Sequence, residues 1–159
     1  MIDSPRLLTD LQREVTKLHT DLRARCDAEP AADAPLKAAY DAARAGQRTA
    51  LTYKAWREEE LTNVAVAWVL ACVFVRFLED NGLLESPFLS GSGEGREAAG
   101  ETRAAYFSGH RTHSDADYLA HVAGEVGRLP GMADLMDARH NALWNASISG
   151  DAAKDFIEF

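Results

Sequence analysis

The first apolar pattern in the chain is a row of five residues close to its start. Ser4 is suited to cap a helix, and Pro5 is suited to its first turn. The row follows at alternating spacings of three and four residues: Leu8, Leu11, Val15, Leu18 and Leu22. It spans about two heptads, whereas a coiled coil needs at least about three. The pattern therefore predicts a helix over residues 4–26 that packs on its own domain, with a partner-binding or dimerising seam as the alternative.

The strongest pattern covers residues 52–81. Its first half is amphipathic, and twelve apolar residues then follow without a break from Val64 to Val75. A membrane-spanning helix needs about 20 such residues, and a helix that is apolar on every face is typically buried on all sides. A buried strand is the alternative, but the run continues into charged residues and stops at Asn81-Gly82. We therefore predict one long, centrally buried helix. Its predicted core residues are Val66, Val69, Leu70, Val73, Phe74 and Phe77.

The remaining segments predict shorter helices. Residues 29–33 are typical of a connector, and residues 34–45 predict an Ala-rich helix outside the core that ends at Gly46. A helix over residues 94–107 follows, and Ser114 and Asp117 resemble a capping box that opens another. No segment alternates with period two. The sequence predicts an all-α fold, a helical bundle around the long helix, with residues 1–159 as one domain.

Composition and charge limit the function classes. The chain has 159 residues, 47% hydrophobic and 26% charged, as in an ordinary soluble globular protein. Residues 1–50 carry 8 basic and 8 acidic residues, whereas residues 51–159 carry 9 and 17 and so account for the net charge of -8. Such a surface repels phosphate, so we expect weak or no DNA binding by the chain alone.

Cysteine usage and the first residues of the chain bear on location. Cys26 and Cys72 show no metal-type spacing, and Cys72 lies inside the apolar run as a free thiol would. Asp3, Arg6 and Asp10 interrupt any signal-peptide core. We expect a cytoplasmic protein without a membrane segment.

Two small groups of residues carry candidate chemistry. Asp117 and His121 share a helix face, and His110 and His113 precede them, which makes a small zinc enzyme conceivable. The favoured interpretation is a capping aspartate among surface histidines, with no metal. Arg76 is the one charge embedded in the apolar run, with Glu79 three and Asp80 four residues later. An intrahelical ion pair is the favoured interpretation, and contact with an external acidic group or phosphate is the alternative.

No motif supports a self-contained enzyme. The glycines at positions 91, 93 and 95 superficially suggest a phosphate loop, but no strand precedes them and no Lys-Ser/Thr follows. No Gly-x-Ser-x-Gly, His-Glu-x-x-His or Walker pattern occurs. We predict no catalytic or cofactor-binding residue in this chain.

A resemblance to a known family covers nearly the whole chain in order. It is strongest over residues 62–83, TNVAVAWVLACVFVRFLEDNGL, and continues in MID at the start, YKAWRE from Tyr53, HNALW from His140 and ISGDAA from Ile148. These pieces resemble the N-terminal region of the PglX family. Its members are adenine-specific DNA methyltransferases of the phage growth limitation system, the type 2 form of bacteriophage exclusion (BREX).

The chain also departs from that family. The resemblance implies a much longer parent with an Asn-Pro-Pro-Tyr motif for the flipped adenine and a glycine-rich motif for S-adenosylmethionine. This chain has neither, and no two of its prolines are adjacent. The resemblance therefore implies that the chain is a truncated N-terminal module, which is not catalytic alone. The module would be either a natural fragment or an expressed piece. Implied partners are the rest of the methyltransferase, other BREX components and a second copy through the N-terminal helix. The alternative is a stand-alone acidic helical regulator or inhibitor that mimics or competes with this domain.

Overall fold

The computed structural model describes residues 4–90 and 95–158, and these form helices with no strand among them. The elements in chain order are α1 Ser4–Ala28, α2 Pro30–Ala45, α3 Tyr53–Asp80, α4 Gly95–Gly109, α5 Asp115–Gly127, a 3-10 turn Ala142–Trp144 and α6 Gly150–Glu158. The predicted all-α class is confirmed. Gly91 and Gly93 of the glycine-rich loop, and residues 1–3 of the family resemblance, lie outside the described residues.

The predicted long helix is confirmed as α3, which buries one side in the core of the bundle. It packs against α1 most extensively, and also against α2 and the 3-10 turn. Thr52 caps its start by accepting a hydrogen bond from the Ala55 amide at 3.4 Å, and Asn81 follows its last residue. Leu61 and Val64 of α3 are completely buried. The predicted start and end of this helix are therefore correct to within one residue.

Helix α2 differs from its prediction at its start and in its burial. The predicted connector over residues 29–33 is helical from Pro30 onwards, with Glu29 at the N-cap position. Proline suits the first helical turn because its missing N–H would have no partner there. Leu36 is 1% exposed, and the Tyr40 ring packs on the Trp56 ring at 5.7 Å. This helix therefore contributes to the core, contrary to the prediction.

Two side chains hold residues 88–90, which follow α3, by hydrogen bonds to the backbone. The Glu79 carboxylate accepts hydrogen bonds from the backbone amides of Phe88 and Leu89 at 2.7 Å each, and from that of Ser90 at 3.1 Å. The hydroxyl of Tyr118, a completely buried residue of α5, donates to the carbonyl of Phe88 at 2.7 Å. These contacts satisfy backbone groups that would otherwise be unpaired beside the core.

The C-terminal part of the chain is tied back to α1. The Asp21 carboxylate accepts a hydrogen bond from the Ser149 amide at 2.8 Å, and the Arg25 guanidinium donates to the Ile148 carbonyl at 2.7 Å. Ile148 itself is completely buried. These contacts join residues more than 120 positions apart in sequence and place α6 against α1 and α5.

The predicted core of α3 is largely wrong. Of its six members only Val69 is buried; Phe74 is half-buried, and the other four are exposed. The residues that α3 does bury are Leu61, Val64, Ala65, Trp68, Val69, Ala71, Val75 and Leu78. By length and composition α3 could span a membrane, yet half of its most apolar window is buried inside this bundle. Burial on all sides fails because the other helices cover only part of its circumference.

Candidate functional site

Four large apolar side chains form a stripe on the outward side of α3. Leu70 is 58% exposed and Phe77 55%, with Val66 and Val73 at 37% and 39%. Their spacings of four, three and four residues align them along about 16 Å of helix. We call these four residues the outer face of α3. Contiguous apolar surface of this kind is typical of an interaction site, whereas single exposed apolar residues are ordinary.

A groove runs beside the outer face of α3. It has a volume of about 510 Å³, and its two walls come from α3 and from residues 134–142. Leu70 and Phe74 line one wall, and Leu135 and Met136 line the other. The second wall is held by hydrogen bonds, since the Trp144 indole donates to the Met136 carbonyl at 2.8 Å. The groove is therefore a built feature with apolar side chains on both walls.

Carboxylates lie at both ends of the outer face of α3. Glu59 precedes Val66 by seven residues and Asp80 follows Phe77 by three, so both continue the same helical spacing. Both side chains are exposed. Asp134 adds a third carboxylate in the lining of the groove. Carboxylates therefore border the apolar stripe, with Arg76 paired to the one at its C-terminal end and His140 also lining the groove.

Arg76, Glu79 and Asp80 come together at the C-terminal end of α3, as their spacing predicts. The Arg76 guanidinium lies 3.7 Å from the Glu79 carboxylate and 3.4 Å from that of Asp80. Arg76 is 37% exposed rather than enclosed in the apolar run, and the buried member is Glu79 at 1%. The sequence showed Glu79 as a partner for Arg76 only. Its three bonds to backbone amides depend on how the chain returns after α3, which no spacing reveals.

The predicted histidine cluster is an aromatic stack around Tyr106. The Tyr106 ring stacks on His110 at 4.5 Å and on His121 at 4.8 Å, and its hydroxyl lies 2.6 Å from the His113 ring nitrogen. Burial raises the pKa of the Tyr106 hydroxyl, and nearby Asp117 adds to that rise. The sequence spacing predicts that the histidines lie close together, but it does not predict that the Tyr106 ring packs between them.

Asp117 itself caps α5. Its carboxylate accepts hydrogen bonds from the Ser114 amide at 2.7 Å and from the Ser114 hydroxyl at 2.8 Å. These bonds to Ser114 hold the pKa of Asp117 below its usual value. Within residues 4–90 and 95–158, no group of three or more His, Cys, Asp or Glu side chains is placed to hold a metal ion. The geometry thus assigns Asp117 to the start of the helix.

The N-terminal row divides into a buried and an exposed part. Leu18 and Leu22 are buried in the core, and Leu11 and Val15 pack against it half-buried. Leu8 is 58% exposed. Intrachain packing therefore uses most of the row, and a homodimer through this helix stays a prediction that concerns its first turns.

The chain is similar along its whole length to part of one curated protein. It is 38% identical over 160 residues to the adenine-specific methyltransferase PglX of Streptomyces coelicolor. The match covers all of this chain and 13% of the relative, so the chain spans about an eighth of the length of that protein. No family model matches the chain, and no solved structure matches it. The chain is therefore homologous to a segment of PglX, and the predicted resemblance is confirmed.

Proposed function

We propose that this chain is the N-terminal helical interaction module of a PglX-like methyltransferase. The longer protein would methylate adenine in DNA with S-adenosylmethionine and act in phage defence of the Pgl or BREX type. The observation that carries the proposal is 38% identity to PglX over the full length of the chain. The module itself supplies structure and contacts rather than chemistry.

The sequence supports a non-catalytic role. Methylating a base within duplex DNA requires a pocket that accepts the flipped base and holds it by stacking and hydrogen bonds. The chain contains no Asn-Pro-Pro-Tyr motif, and residues 4–90, which precede most of its glycine-rich segment, form no strand that such a motif for S-adenosylmethionine would follow. We therefore assign cofactor binding and base recognition to the remainder of the longer protein.

The surface supports a role in assembly. The outer face of α3 presents large side chains to solvent, and an apolar groove lies beside it. Such features are typical of surfaces that other protein segments cover. The rest of the methyltransferase is the first partner we propose, and other components of the defence system are the second.

Cys26 and Cys72 are free thiols, which supports a cytoplasmic location.

Segment exchange tests this function. In the PglX of Streptomyces coelicolor, the matching segment is either replaced by this chain or deleted, and adenine methylation and phage plaque counts are measured. We expect the exchanged protein to keep both activities and the deleted protein to lose both. The proposal fails if deletion leaves both unchanged.

The same experiment has an arm for the alternative, a stand-alone acidic regulator. The excess of acidic residues after position 50 is the observation that favours it. The purified chain is added in trans to intact PglX. Inhibition of methylation, together with unchanged activity of the deleted protein, would support the regulator and contradict the module.

A further inference from the structure

We propose that the outer face of α3 is the docking site for one amphipathic helix from another part of the same longer polypeptide, and that basic residues flank the apolar stripe of that helix. This inference rests on the proposed function, in that the chain is one module of a longer methyltransferase. It goes further by naming the surface, the occupant and the charge of the occupant.

The shape of the site fits a helix. Val66, Leu70, Val73 and Phe77 repeat at four-three-four spacing, which is the seam that a partner helix packs against at an interaxial distance of about 8–10 Å. The groove beside them offers apolar side chains from a second wall, including the 49% exposed Leu135. A helix that lies in the groove would contact both walls with one apolar stripe.

The charges specify the ends of that helix. Glu59 and Asp80 border the stripe, and Asp134 lies in the groove. Asp80 is shared with Arg76, while no ion pair of Glu59 occurs among the residues that the structure describes. Lys or Arg residues flanking the apolar stripe of the occupant would complement these carboxylates and set its position along α3.

The same charges disfavour a second copy of this chain as the occupant. In a parallel pair, Glu59 and Asp80 would each face their own counterparts. In an antiparallel pair that matches Val66 with Phe77, Glu59 of one copy lies about one helical turn from Asp80 of the other. Each chain also carries a net charge of -8. Like charges at these separations fall within about one Debye length and repel.

A membrane surface is also disfavoured. An interfacial helix typically carries Lys and Arg around its apolar face, because bacterial and cytoplasmic leaflets are anionic. Here the outer face of α3 is bordered by carboxylates. The apolar stripe is also one side of a helix whose other side is buried in the bundle. A helix with basic residues complements the carboxylates of this surface, whereas an anionic membrane would be repelled by them.

An intramolecular source fits the proportions of the homologous protein. The relative is much longer than this chain, which matches only 13% of it. A tethered segment is present at a high effective concentration, so a single-helix contact of modest area is sufficient for stable docking. Permanent interfaces are also more apolar than transient ones, and all four side chains of the outer face of α3 are apolar.

Site-specific photo-crosslinking in the full-length methyltransferase tests the docking. A benzophenone amino acid replaces Leu70 in one protein and Leu51, which is 37% exposed and precedes α3, in the control. We expect position 70 to crosslink within the same polypeptide to a helix that has Lys or Arg on both sides of its apolar stripe, and position 51 not to crosslink to that helix. Glu59→Lys should reduce the yield at position 70 by about two- to fivefold, the range of one exposed ion pair. Glu101→Lys, at an exposed site on α4, should leave it unchanged.

Each other outcome overturns the inference. Crosslinks to residues 66–77 of a second copy would indicate a dimer, crosslinks to a separate protein an external partner, and association of the purified module with phosphatidylglycerol vesicles a membrane contact. The absence of any crosslink from position 70 would show an unoccupied face. Adenine methylation by the unmodified protein is measured in parallel. If it methylates but position 70 does not crosslink as expected, docking alone fails; if it does not methylate, the proposed function fails too.

Discussion

Val69 and Leu70 are adjacent on α3, yet Val69 is 2% exposed and Leu70 is 58% exposed. Successive residues of a helix point about 100° apart, so neighbours can face opposite environments. One uninterrupted apolar run therefore supplies both the core of this bundle and its outer apolar surface. A run longer and more uniformly apolar than the core requires is consistent with a second packing partner.

The two sides of α3 should respond differently to truncation. Leu61→Ala removes a completely buried side chain and should lower the free energy of unfolding by about 2–5 kcal/mol. Leu70→Ala, its exposed control, should change it by no more than about 0.5 kcal/mol in the isolated chain. Urea denaturation of the isolated chain measures both. Equal losses for the two variants would contradict the described orientation of α3.

Glu79 should fasten the segment that follows α3. Glu79→Gln keeps the size of the side chain but weakens three hydrogen bonds to backbone amides, at a cost of about 1–3 kcal/mol. Hydrogen exchange at the Phe88 and Leu89 amides should accelerate. Asp80→Asn, which alters an exposed carboxylate one residue later, is the control and should leave that exchange unchanged. Exchange rates that are the same in both variants would show that Glu79 does not hold this segment.

Alkaline pH should destabilise the fold through Tyr118. Burial raises the pKa of this hydroxyl from 10.0 to about 12. Below pH 10 both states keep the proton, so Tyr118 contributes no pH dependence. Between pH 10 and 12 the unfolded state loses the proton while the folded state holds it, so the free energy of unfolding falls as pH rises.

Denaturation at pH 9, 10 and 11 measures this effect. The slope should approach about 1.4 kcal/mol per pH unit for this one group, and Tyr118→Phe should remove that contribution from the total. Cys72, whose pKa burial also raises to about 12, adds a separate contribution that Tyr118→Phe leaves in place. An identical slope in wild type and Tyr118→Phe would contradict the buried hydroxyl.

Asp117 should act as a helix cap without a metal. Asp117→Ala removes the N3 carboxylate that accepts from Ser114 and should cost about 0.3–1.5 kcal/mol. Because the pKa of Asp117 is lowered, this contribution is present above its ordinary value of 3.8 and is lost as pH falls below it. Added zinc should leave the melting temperature of the wild type unchanged. A zinc-dependent rise that His121→Ala abolishes would instead identify a metal site.

The isolated chain should bind duplex DNA only weakly. Arg13 lies 3.1 Å from the Asp10 carboxylate and Lys17 lies 2.8 Å from that of Glu14, so acidic neighbours offset the basic residues of α1. We expect a Kd at or above about 10⁻⁴–10⁻⁶ M at physiological salt. Fluorescence anisotropy with a labelled duplex measures it. Tighter, sequence-dependent binding that Arg13→Ala and Lys17→Ala weaken would contradict the account.

The sequence predicts the ends of helices better than it predicts which sides they bury. Thr52, Asn81, Gly46 and the Ser114–Asp117 pair act locally, so each marks a helix end without reference to the rest of the chain. The buried side of α3 depends on where α1 and the 3-10 turn lie. A run that is apolar on every side carries no periodic signal for that choice.

A signal for the outer face of α3 is nevertheless present in the sequence. Val66, Leu70, Val73 and Phe77 repeat at four-three-four spacing, and Glu59 and Asp80 continue the same side of the helix with charge. Acidic residues at both ends of one side indicate solvent at those points. No such signal marks the burial of Leu36 in α2, because that burial arises from packing between helices.

Adenine methylation by the full-length protein carrying Leu70→Lys shows whether the module acts by docking through α3. Leu70→Lys places a charge in the middle of the outer face of α3, and Leu51→Lys is the control at an exposed position before α3. Urea denaturation of the two isolated modules first establishes that both fold as stably as the wild type. We expect Leu70→Lys to lose methylation and Leu51→Lys to retain it. Wild-type methylation by the Leu70→Lys protein would contradict the claim that this module acts by docking through α3.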